Sequence, residues 1–167
     1  FDPQLTSASL GRGRVFKRLV LMEQAIVDFK KSIDIDPQPH PGVVIEIADM
    51  LQGSKNGGID ASLHILDEAM KRTGVLGLLQ DKAVSLEASR GGYDAAIDRM
   101  RKLGIERKYN PFWRVDFAEL MVRANRNDEA QHELNLAAAE ISNTKKTDAI
   151  YQLILRIDKI RKVPSKI

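Results

Sequence analysis

The chain contains no cysteine, and only 5% of its 167 residues are aromatic. Without thiols it has no disulfide framework, no thiolate zinc site and no cysteine nucleophile, although reducing and oxidising compartments both stay open. No apolar run approaches the roughly 20 residues that span a membrane. Histidine is scarce as well. His40, His64 and His132 form no i, i+4 pair and accompany no carboxylate pattern, so each reads as a surface or turn residue, and no metal, cofactor or catalytic site is expected. The first residue is Phe1, and the expectation is a fragment, a mature form or a trimmed chain whose targeting signal has been lost.

What is present is a regular alternation of apolar and charged residues. With 43% hydrophobic and 29% charged residues the chain is apolar enough to bury a core. Its net charge of +3 is uneven: Lys145 to Ile167 holds seven basic and two acidic residues, a net +5, which leaves −2 for residues 1–144. The pI of about 9.2 therefore describes one end of the molecule. Nucleic-acid binding by this tail would call for interleaved aromatics, and only Tyr151 lies nearby, so that partner class is disfavoured.

Self-similarity organises the rest. Small residues followed three positions later by a larger apolar one recur at Gly13/Phe16, Ala48/Leu51, Ala83/Leu86 and Ala118/Met121, each 35 residues after the last. A second series, Ala25/Phe29, Ser62/Leu66, Ala96/Met100 and Ala130/Leu134, is spaced by 37, 34 and 34, and Ser32, Ala69, Leu103 and Ala137 keep that same spacing. Spacings of three and four place each pair on one helical face, so every unit predicts two antiparallel helices in which small residues allow close backbone approach. The predicted helices are 5–20, 22–36, 41–53, 59–73, 76–90, 93–104, 111–125, 127–142 and 146–162. Of the turns inside units, Leu21–Met22 lacks turn chemistry, whereas Gly53 to Gly58, Gly91–Gly92 and Asn125 to Asn127 have it. Asp36-Pro37 and Asn110-Pro111 punctuate the chain between units.

These residues resemble the tetratricopeptide repeat, a 34-residue helical hairpin. Gly13, Phe16, Ala25, Phe29 and Pro37 match its small, aromatic and closing-proline positions. Phe117-Ala118, Met121, Asp128-Glu129-Ala130, Leu134 and Ala137 repeat the match in the fourth unit, and Gly91-Gly92-Tyr93-Asp94 resembles the hairpin turn. The second unit departs, with a longer turn and Ser62 in place of alanine, and no unit carries the family's early tryptophan. The resemblance implies an all-α, right-handed solenoid as a single domain, with repeats near 6–39, 41–75, 76–110 and 111–142. Residues 146–162, with Ala149, Ile150, Leu153, Ile154, Ile157 and Ile160 on one side, would cap the stack.

In that family the first helix of each repeat lines a concave groove. Carried over, this puts Arg14 and Lys17 in the groove, then Ile45, Asp49 and Gln52, then Gln80, Val84 and Glu87, then Val115, Glu119 and Val122. The partner-binding candidates are Arg14, Lys17, Asp49, Gln52, Glu87, Glu119 and Val122, basic at one end and acidic or apolar further on. Among the bland alternatives, Asp34 and Asp36 diverge on a helix, and Gly11-Arg12-Gly13-Arg14 lacks the strand and the Lys-Ser/Thr of a phosphate loop. Tyr109, Phe112 and Trp113 are expected to pack between the third and fourth units. The leading functional reading is a non-enzymatic scaffold that binds a partner peptide or helix in its groove. The second is an accessory domain of a larger protein, exported bacterial or otherwise, where it positions an enzymatic or membrane-bound neighbour.

Overall fold

The computed structural model describes residues 3–55, 57–142 and 144–162. Among these, all regular structure is helical: α1 (Pro3–Arg18), α2 (Met22–Ile35), α3 (Pro41–Gly53), α4 (Ile59–Thr73), α5 (Gly77–Ser89), α6 (Tyr93–Arg107), α7 (Pro111–Arg123), α8 (Asn127–Ser142) and α9 (Asp148–Arg161). The starts of α3 and α7 have a common cause. Pro41 and Pro111 occupy the first helical turn, where a missing N–H costs nothing, and the preceding side chain caps the free donors. His40 Nδ1 accepts from Gly42 N–H at 3.1 Å, and Asn110 Oδ1 accepts from Phe112 N–H at 3.0 Å. Thr147 does the same for α9, accepting from Ile150 N–H. At the other punctuation point Asp36, ahead of Pro37, is extended and ends α2.

Three hairpins close through one device. The central residue of a three-residue turn is left-handed, Val20 at φ 60°, Gly91 at φ 80° and Asn125 at φ 60°. The next N–H then reaches back to a helix-end carbonyl: Leu21 to Phe16, Gly92 to Glu87 and Arg126 to Met121, at 2.8–2.9 Å. The first turn is thus Leu19 to Leu21, earlier than the sequence indicates, because the closure needs its left-handed residue just past the helix end. The second hairpin differs, closing through Gly58 at φ 111°.

The chain divides into two compact units, Phe1–Leu86 and Glu87–Ile167, with the boundary inside α5. In the first, α1 packs on α2, α2 on α3 and α3 on α4, and Leu79, Ala83 and Leu86 of α5 join the same core. The small-residue series marks the closest approaches. A Cβ on Gly13 would lie 2.9 Å from the Phe29 ring, and Ala48 and Ala69 are fully buried. Ser62, the departure from alanine, is also fully buried, and its hydroxyl donates to Ala48 O at 2.7 Å and lies 2.9 Å from Gly58 O. It therefore ties α4 to α3 where a methyl group would only fill space. Phe29, Ile47 and Leu66 fill the room around these contacts, each stabilising by roughly 1.5–3 kcal/mol relative to exposure.

In the second unit α7 packs against α6, α8 and α9, and α9 also touches α8. Ala118, Ala130 and Ala137 are fully buried, again at the recurring small positions. Ile150, Leu153, Ile157 and Ile160 of α9 are buried, whereas Ala149 is exposed and Ile154 half-buried. The buried stripe is thus narrower than the expected apolar side. Its spacing of three and four leaves both residues on its flanks.

Candidate functional site

Within the first unit, ion pairs join the first helices of successive hairpins. Lys17 Nζ of α1 donates to Glu46 Oε1 of α3 at 2.5 Å, and Lys82 Nζ of α5 stands 2.5 Å from Asp49 Oδ1 of α3. Gln52 Nε2 donates to Ala48 O at 3.4 Å. Two of the four candidate positions here, Lys17 and Asp49, therefore have their charges compensated internally. Arg14 is exposed and has no partner among the described residues.

A further pair lies between α1 and α2. Arg12 Nε and Nη2 donate to both oxygens of Asp28, a bidentate fork onto a carboxylate that is only 4% exposed. Those hydrogen bonds hold the Asp28 carboxyl below its ordinary value, against burial, which pushes it up. Arg12 was thus no part of a phosphate loop: it is a clamp between two helices.

The second unit brings together two of its three candidates. Glu119 and Val122 of α7 line a surface groove with Arg123 of the same helix and Arg156, Lys159 and Ile160 of α9. Arg156 Nη2 donates to Asp116 Oδ1 at 2.7 Å and stands 2.9 Å from Glu119 Oε1, binding α9 to α7. Burial disfavours the Arg156 charge, but the hydrogen bonds to Asp116 and Glu119 outweigh it and raise its pKa. The carboxylate of Glu119 is thereby neutralised, and Arg123 and Lys159 have no partner among the described residues. The groove has an apolar floor, Val122 and Ile160, under a basic rim. Sequence reasoning assigned an acidic or apolar character here, because Arg156 and Lys159 lie 37 and 36 residues downstream of Glu119 and Arg123. The signal that could have found them is the +5 tail.

Glu87, the third candidate in this unit, is corrected by its surroundings. It is 4% exposed, and its carboxylate accepts from Arg90 Nε at 2.7 Å and from Arg99 Nε at 3.4 Å. It braces the α5–α6 turn, its charge already met by two arginines. Gln80 and Val115 are likewise buried, at 1% and 0% exposure, which leaves neither side chain open to a solvent-facing groove.

The aromatic cluster separates. Trp113 is buried and tilted onto Phe117, ring centroids 5.0 Å apart, one helical turn on, whereas Phe112 and Tyr109 are exposed. Tyr109 precedes α7 and lies under Lys108 Nζ, 4.9 Å from the ring centroid. Among the described residues no three His, Asp or Glu side chains group as metal ligands, and no helix is long and apolar enough to cross a membrane.

Comparison with protein-family models gives no match, and comparison with curated proteins gives none either. Solved structures do match in fold. The crystal structure of MamA protein superposes with a TM-score of 0.62 at 16% identity, covering 85% of this chain and 79% of that one. The MamA RS-1 ArsTM double mutant gives 0.61 at 7% identity, covering 93% and 94%. Both are TPR-like helical-repeat structures, and at these identities the likeness concerns the fold alone. The chain has an all-α, TPR-like helical-repeat fold of the α-solenoid class.

Proposed function

We propose that the chain is a non-enzymatic protein-interaction module and that the α7–α9 groove receives an acidic segment of a partner protein. The observation that carries this reading is the pairing of an apolar floor, Val122 and Ile160, with two rim cations, Arg123 and Lys159, whose charge nothing described in the fold consumes. Arg156 contributes less, since Asp116 and Glu119 already hold it. The fold supports the reading, because stacked helical hairpins commonly present first-helix faces to peptides or helices. In the first unit Arg14, Lys17, Asp49 and Gln52 belong to the same reading, with Arg14 the one uncompensated charge among them.

Rim charges act chiefly on encounter rate and specificity. The test is fluorescence polarisation of the whole chain with arrayed peptides graded in Asp and Glu content, at low and moderate salt. Acidic peptides are expected to bind more tightly than neutral ones, and Arg123→Glu with Lys159→Glu should weaken them about tenfold while flattening the salt dependence. Equal binding of acidic and neutral peptides, or an unaffected double variant, would overturn the assignment.

A further inference from the structure

The turn between α1 and α2 is built from the wrong residues for its backbone. The equivalent turns before α6 and α8 place Gly91 and Asn125 at the left-handed position, the two residue types that tolerate it best. The first turn places Val20 there, and a β-branched residue at φ 60° is a steric outlier. Nothing in the packing compensates for the strain. Val20 is 80% exposed and its neighbour Leu19 61%, with Leu21 also open to solvent, so the side chains that strain or dehydrate the turn are not used by the core. Apolarity is not a requirement of the turn either, since its counterparts read Arg90-Gly91-Gly92 and Ala124-Asn125-Arg126. Strain and exposure are separate observations, and both point to a contact outside the fold.

The surroundings indicate its chemistry. Val15, one helical turn before Leu19, extends the aliphatic stripe and is exposed. Arg14 and Arg18, also one turn apart, run beside that stripe, both exposed and without a partner among the described residues. Lys55 sits on the neighbouring turn, its backbone N–H donating to Glu23 Oε1 at 3.1 Å, which holds that turn beside the start of α2. The tip is convex and purely aliphatic. It offers no side-chain donor or acceptor, and Leu and Val are poor protein-interface anchors, whereas aliphatic tips ringed by Lys and Arg suit an interface of acyl chains below and anionic headgroups above.

We infer that the Leu19–Val20–Leu21 turn is a peripheral contact with an anionic lipid surface, the aliphatic side chains entering the acyl boundary while Arg14, Arg18 and Lys55 meet the headgroups. It uses a different element from the α7–α9 groove and shares only Arg14 with the first-unit candidates, so the groove assignment stands without it.

The experiment is flotation of the whole chain with phosphatidylcholine vesicles, with and without phosphatidylglycerol. The chain is expected to float with the anionic vesicles only. Leu19→Ser with Val20→Asn should reduce that partitioning about tenfold or more without lowering Tm, since asparagine suits the left-handed turn. Arg14→Gln with Arg18→Gln should remove the preference for anionic lipid while leaving the fold unchanged. The inference is overturned if the wild-type chain ignores anionic vesicles or if the tip variant floats equally well. It is also overturned if the wild-type chain forms a dimer that the tip variant abolishes, for then a protein surface covers the turn.

Discussion

Gly13 and Phe29 meet face to face. A Cβ on Gly13 would stand 2.9 Å from Cδ2 of the ring, and Phe29 is fully buried, so the ring has nowhere to retreat. This contact sets how closely α1 and α2 approach. Gly13→Val is expected to destabilise the chain by about 2 kcal/mol or more, overpacking outweighing the helix propensity gained on losing glycine. Thermal or urea denaturation measures it, and Phe29→Leu should recover part of the loss, a coupling that a double-mutant cycle would show as non-additive.

The Arg12–Asp28 clamp carries a pH signature. Its bound carboxylate has a pKa below the ordinary 3.8, so the stability it contributes is fully present above that value and is lost as pH falls through the lowered native one. Asp28→Asn should therefore be less stable than wild type at neutral pH by about 1–3 kcal/mol, with the two curves converging on acidification below about pH 4. Urea melts across the acid range give the comparison, and a constant difference at every pH would refute the clamp as the cause.

Relieving the first turn should stabilise the protein. Val20→Gly or Val20→Asn places a tolerant residue at φ 60°, and a gain of about 1 kcal/mol is expected, seen as a raised Tm. The same substitutions at an ordinary helical position would lower Tm, so the sign of the change tests the backbone assignment.

The end helix contributes to the core of the second unit. Leu153 is 1% exposed against α7 and α8, and Leu153→Ala should cost about 2–4 kcal/mol. Deleting residues 146–167 should expose an apolar face, with aggregation or loss of hydrogen-exchange protection in α7 and α8. A truncated chain that remains monomeric and equally stable would show that α9 is no cap.

Much of this architecture follows from short-range information. The small-residue series at intervals of 34 to 37 placed Gly13, Ala48, Ala69, Ala118 and Ala130 at helix contacts, and proline with its preceding residue located the end of α2 and the start of α7. Helix phase and capping depend on residues one turn apart, which a single sequence displays directly. The charges were another matter. Lys17 finds Glu46, Asp49 finds Lys82, Glu87 is buried beneath Arg90 and Arg99, and Arg156 takes up Asp116 and Glu119. Most of these partners are separated by 12 to 40 residues, and which long side chain meets which depends on the rotation and spacing of packed helices. The same holds for Val20, whose strained φ is imposed by the closure of α1 on α2 against its own preference. Local pattern determined the helices and their apolar stripes; only the packed hairpins decided which charges stay free for a partner, because burial and pairing are properties of surfaces that exist once the helices have met.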